Sequence, residues 1–162
     1  MEPKLNQKSA PMIGAWKLIS FEIRRENGEV IYPFGKNAQG ALIYTESGRF
    51  SAQVMRPDRP QFASGDQMRG TAEEIKANYE GFVSYYGPYE FDRKKGFVVH
   101  HVEGSLFPNW EGQRQKRFYE LSGNRLKLST SPTLWGGGEV VGVLIWERIE
   151  RTVESCGSVQ NI

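Results

Sequence analysis

The 162-residue chain has one cysteine, Cys156, and two histidines, His100 and His101. A lone cysteine closes no internal disulfide and builds no cysteine-rich zinc site, and a chain of this length needs neither to fold. Charge of one sign is also lacking. Against 19 acidic side chains stand 21 basic ones, a net +2. That small excess is no footprint for a nucleic-acid backbone. Long apolar runs are absent: the longest, Val140 to Trp146, is broken by Gly142 and is far too short to span a bilayer. Met1 to Lys8 is polar, without the apolar core of a signal sequence, so a cytoplasmic protein is expected. There is no Gly-x-Ser-x-Gly elbow, no dinucleotide fingerprint and no zinc spacing. Trp135-Gly136-Gly137-Gly138 lacks the Lys-Ser/Thr of a phosphate loop and reads as a hairpin tip. Neither metal nor cofactor is expected, and any catalysis would rest on acid–base groups and shape.

Glycine and aromatics are plentiful: 18 Gly, nine Phe, seven Tyr and four Trp, with eight Pro. Glycine turn signals such as Asn27-Gly28, Ser47-Gly48, Lys95-Gly96 and Ser122-Gly123 separate short β-rich segments. These include Ala41 to Thr45, Phe50 to Met55, Tyr89 to Phe91, Phe97 to Leu106, Arg117 to Leu121, Leu126 to Thr130 and Val140 to Arg148. This spacing predicts an all-β antiparallel meander, closed as a barrel or stacked as a sandwich. One domain over residues 11–152 is expected, flanked by tails at 1–10 and 153–162. Thr71-Ala72-Glu73-Glu74 forms a capping box. It opens one helix whose apolar stripe is Ile75, Tyr79, Phe82 and Val83.

Gly14-Ala15-Trp16 in the first strand and Trp146-Glu147-Arg148 in the last resemble the Gly-x-Trp and tryptophan-capping arginine of lipocalins. The stretch from about Ile13 to Ile149 resembles the small bacterial and fungal lipocalin-like domain family. The blocks that carry this are Gly14 to Glu22, Gly40 to Thr45, Ser51 to Pro60, His100 to Glu103, Ser105 to Trp110 and Arg117 to Thr130. The resemblance implies an up-and-down barrel of about 8–10 strands, one helix inserted, and an interior pocket for a small, largely apolar molecule. It also implies that Arg148 lies across Trp16 at a closed end, and it draws Tyr44, Gln53 and Met55 toward the pocket. Parity alone would instead bury Phe50 and Val54.

Alternation sets His101, Glu103 and Ser105 on one face of their strand and Val98, His100 and Val102 on the other. Adjacent histidines pointing oppositely do not converge on a metal ion. One of them faces inward, and both faces are apolar enough that periodicity leaves the choice open. His101 with Glu103 is a candidate acid–base pair, and His100 is the alternative. Arg117 shares a face with Tyr119 and Leu121. It reads as a partner of Glu103, a clamp for a ligand oxygen, or part of a solvated patch with Arg114 and Lys116. Tyr89, Asn109, Trp110, Tyr119 and Trp135 complete the candidate ligand contacts, the two tryptophans by folding over the mouth. Arg56 to Pro60 reads as a rigid rim turn in which Asp58 bonds backbone amides.

Three readings follow. The first is a cofactor-independent isomerase, cyclase or lyase acting on a small, secondary-metabolite-like molecule. The second is a non-catalytic carrier of such a molecule. The third is a haem-binding barrel of the nitrobindin type, which needs a histidine at the pocket mouth. Oligomeric state is left open.

Overall fold

A computed structural model of the chain describes residues 10–150. Eight long or middling strands close a barrel: β1 (Gly14–Arg25), β3 (Gln39–Tyr44), β4 (Arg49–Met55), β5 (Phe82–Asp92), β6 (Phe97–His101), β8 (Arg114–Ser122), β9 (Arg125–Thr130) and β11 (Gly138–Arg148). Three short strands are added at the rims: β2 (Val30–Ile31) on β1, β7 (Gly104–Ser105) on β5 and β10 (Thr133–Trp135) on β11. Every pairing is antiparallel, and β11 returns to β1, which removes the free edges of an open sheet. The barrel expected from the sequence is the barrel observed.

Alternation builds the core. In β4, Phe50, Ala52 and Val54 are buried while Ser51, Gln53 and Met55 take the other side. In β1 the inward set changes parity, from Trp16 and Leu18 to Phe21 and Ile23. A register shift between Leu18 and Ser20 causes it, as one extra residue moves the following side chains across the sheet. Gly87 is required by close approach: a Cβ there would sit on the His101 carbonyl oxygen.

One end is sealed. Antiparallel register sets Trp16 opposite Leu42 and Arg148. Arg148 lies 4.2 Å from the centroid of the fully buried Trp16 ring. Its guanidinium donates to the Ile13 and Pro11 carbonyls at 2.7 Å each, and Trp16 Nε1–H donates to Met12 at 2.8 Å. Ala10, within the expected N-terminal tail, is buried in the core cluster. The rest of both tails, Cys156 included, lies outside the described residues.

The helix α1 (Ala72–Glu80) has both halves of its capping box: Thr71 Oγ1 accepts from Glu74 N–H, and Glu74 accepts from Thr71 N–H. Its expected apolar stripe does not hold together. Gly81 caps the helix, and Phe82 and Val83 begin β5, while Ile75 and Tyr79 stay about half exposed. The helix buries no residue of its own and joins β4 to β5, the carbonyl of its C-cap Gly81 accepting from Arg56 N–H at 2.8 Å. Asp58 has a backbone amide contact of the expected kind, and its carboxylate also takes the Arg56 guanidinium at 3.0 and 3.2 Å.

Candidate functional site

A cavity of about 300 Å³ occupies the barrel at the end away from Trp16 and Arg148. Its walls are apolar: Phe21 and Ile23 from β1, Leu42 from β3, Ala52 and Val54 from β4, Leu128 from β9, and Val140, Leu144 and Trp146 from β11. Tyr85, His100, Gln115, Arg117 and Thr130 supply its inner polar groups. The Arg114 and Lys116 side chains turn to the outer face, one to Glu90 and the other over Phe97, and no aspartate or glutamate lines the cavity among the described residues.

Two tryptophans stand at the mouth. The 3₁₀ turn Pro108–Trp110 brings Trp110 edge-on to Tyr85, with centroids 5.4 Å apart. Trp135 ends β10 and packs edge-on to Phe21 and Phe34. The β10–β11 link is Gly136-Gly137, both at positive φ, the backbone that a two-residue hairpin loop demands. Both rings, with Val83, also border an outer groove of about 430 Å³ that holds Phe107 and Leu134, so these three side chains partition the two spaces.

Of the two histidines, His100 faces inward and is 1% exposed. Its ring stacks on Phe50, centroids 4.0 Å apart and planes 12° apart. Nε2 lies 2.6 Å from the Tyr44 hydroxyl and Nδ1 3.2 Å from the Tyr85 hydroxyl. Burial first, then the Arg117 and His101 charges, holds its pKa well below the usual imidazole range, so the ring is neutral. Burial likewise raises Tyr44 well above the usual phenol range, with Tyr85 adding to the effect. Beneath them Tyr89 donates to the Thr45 carbonyl at 2.9 Å and packs edge-on to Tyr44, centroids 4.9 Å apart.

His101 and Glu103 stand on the outer surface and do not pair. His101 Nε2 is 3.4 Å from Glu90 Oε2 without hydrogen-bond geometry, and Glu103 binds Arg49 at 2.8 Å. With Glu103 so engaged, Arg117 has no carboxylate partner among the described residues. It donates to Gln115 Oε1 at 2.6 Å, the Lys116 carbonyl at 3.1 Å and the Tyr85 hydroxyl at 3.4 Å.

The ligand contacts expected from the sequence divide. Trp110 and Trp135 line the cavity, while Tyr44 sits beneath it through His100 and Tyr89, buried against Tyr44, does not reach it. Gln53 and Met55 are on the outer face by the parity of β4: Gln53 donates to Ser51, and Met55 sulfur faces Arg59. Asn109 is exposed, and Tyr119 packs on Phe91 outside the cavity lining. Sequence reasoning missed Tyr85 and Val83 because it gave the start of β5 to the helix. Alternation of Val83, Tyr85, Tyr89 and Phe91 was the available signal. No three His, Cys, Asp or Glu among the described residues are placed to hold a metal ion, and no helix there is long and apolar enough to cross a membrane.

Comparison with known proteins agrees with this geometry. The chain matches the lipocalin-like domain over residues 13–149. It is 34% identical over 108 residues to a 4'-hydroxy-3'-methoxypropiophenone carrier protein of Aspergillus oryzae. That alignment covers 62% of this chain and 97% of the relative.

Proposed function

The chain belongs to the lipocalin-like domain family, and from that premise we propose that it is a non-catalytic carrier of a small aromatic ketone or a similarly oxygenated single-ring molecule. One observation carries the reading: His100, the buried acid–base group of the cavity, has both ring nitrogens committed to tyrosines and is held neutral. A general base needs a free lone pair in reach of the substrate. The cavity has no lining carboxylate among the described residues, and His101 and Glu103 stand outside, which supports the same conclusion. The cavity lies at the small end of ligand pockets, which run from about 300 to 1,000 Å³. The relative's printed ligand, a propiophenone, is of the proposed class. A haem carrier is disfavoured because neither histidine stands at the mouth.

The test is titration with 4'-hydroxy-3'-methoxypropiophenone, followed by tryptophan fluorescence from Trp110, Trp135 and Trp146, with the compound then extracted and analysed. Saturable quenching and quantitative recovery of unchanged ketone are expected. Conversion to an isomer or dehydrated product would overturn the carrier reading and return catalysis to the cavity.

A further inference from the structure

We infer that Tyr44, His100 and Tyr85 form a one-way hydrogen-bond relay, leaving the Tyr85 hydroxyl, beside Arg117, as a fixed donor for an acceptor oxygen of the ligand. This rests on the carrier reading and names the group that selects the ligand.

The direction follows from counting hydrogens. Tyr44 is 1% exposed, and its hydroxyl has one hydrogen-bond partner among the described residues, His100 Nε2. Were Nε2 protonated, Tyr44 would accept from it and its own O–H would be buried without an acceptor, which is costly. Tyr44 therefore donates to Nε2. A neutral imidazole then carries its hydrogen on Nδ1, which donates to Tyr85. Arg117 Nη2 donates to the same oxygen at 3.4 Å, and its guanidinium stands 5.9 Å from the Tyr85 ring centroid. The Tyr85 oxygen thus accepts twice, while its own hydrogen has no acceptor among the described residues. Tyr85 lines the cavity, so that hydrogen is available to a bound molecule.

Two further observations point the same way. Arg117 lines the cavity without a carboxylate partner among the described residues, so its charge favours a ligand oxygen bearing negative or partial negative charge. Trp146 also lines it, and its buried Nε1–H has no acceptor among the described residues. The interior carries surplus donors, and a carbonyl is the neutral group that answers them.

The experiment compares propiophenone with propylbenzene, which have the same ring and carbon chain but a carbonyl in one and a methylene in the other. Both are titrated into the wild-type full chain and into Tyr85→Phe. The ketone-to-hydrocarbon affinity ratio is expected to fall about tenfold in Tyr85→Phe, the worth of one hydrogen bond. In the infrared, the carbonyl stretch of wild-type-bound propiophenone should lie below its position in an apolar solvent. Tyr44→Phe frees the His100 tautomer and should move that band part of the way back, a change that loosened packing alone would not produce. The wild-type spectrum tests the clamp even if a variant fails to fold. A carbonyl band at the apolar-solvent position, or an unchanged affinity ratio, overturns the clamp and leaves the carrier reading standing. Binding of neither probe overturns both.

Discussion

Acidification should unfold this barrel early, and through one side chain. An unfolded histidine titrates near pH 6.5. Folded His100 is fully buried against Phe50, has both nitrogens engaged and sits near Arg117, so its pKa is held well below that value. As pH falls through 6.5 the unfolded chain takes up a proton that the folded chain refuses. Stability then drops toward about 1.4 kcal/mol per pH unit until the folded pKa is reached. The loss accumulates as the pH is lowered from 7 toward 5 and draws on the roughly 5–15 kcal/mol that holds a domain together. Carboxylates act lower. Asp58 is held down by Arg56, and Glu74 by the backbone amides of Thr71 and Ala63, so their contributions are lost on further acidification. The assay is urea unfolding followed by tryptophan fluorescence across this window, for wild type, His100→Gln and His101→Gln. The wild-type midpoint should fall with pH. His100→Gln should be weaker at pH 7 but flat across the window, and His101→Gln should keep the slope because His100 is intact. A pH-independent wild-type midpoint, or a slope that survives in His100→Gln, would refute the reasoning.

Two further predictions concern the closed end and the rim. Arg148→Met removes two hydrogen bonds to main-chain carbonyls and the stacking on Trp16, and should cost about 2–4 kcal/mol, read as a lower melting temperature. An unchanged melting temperature would mean that the seal is ornamental. Thr71→Ala removes a cap worth about 1 kcal/mol to the helix, yet α1 buries nothing. Hydrogen exchange of the helix amides should therefore quicken while global unfolding barely moves. A large global loss would mean that the helix supports the barrel.

The closed end was legible because its contacts are made by few, distinctive residues at strand ends: Trp16 pairs with Arg148 in register, and the Gly-x-Trp signature announces it. The capping box was legible because it is local, two hydrogen bonds within four residues. The choice between His100 and His101 was not, and β6 shows why. Its outward Phe97 lies under the ammonium of Lys116, 4.4 Å from the ring centroid, so the solvent face looks as apolar as the core. Gln53 and Met55 were drawn inward by resemblance, against the parity that buries Phe50, Ala52 and Val54. The parity change in β1 comes from a bulge that composition does not mark. Tyr85 was lost with the helix boundary, since Ile75 and Tyr79 continue into Phe82 and Val83 at helical spacing before Gly81 is seen to act as a cap.

The polar group inside this barrel is an expense that packing does not explain. Replacing a satisfied buried network with apolar side chains of similar shape can be nearly neutral, so Tyr44, His100 and Tyr85 are not needed to fill the space between Phe50 and the cavity. What they do that apolar residues would not is fix one hydrogen at one place in a largely apolar wall. Each link reduces freedom: Tyr44 is locked against Tyr89, His100 against Phe50, and Tyr85 between Trp110 and Arg117. The last donor of that chain and the Trp146 indole have no acceptors among the described residues. A ligand oxygen that meets either one recovers part of the cost of burying it. Ligand binding should then stabilise the fold by more than its apolar contact area alone supplies, by mass action on the folded state.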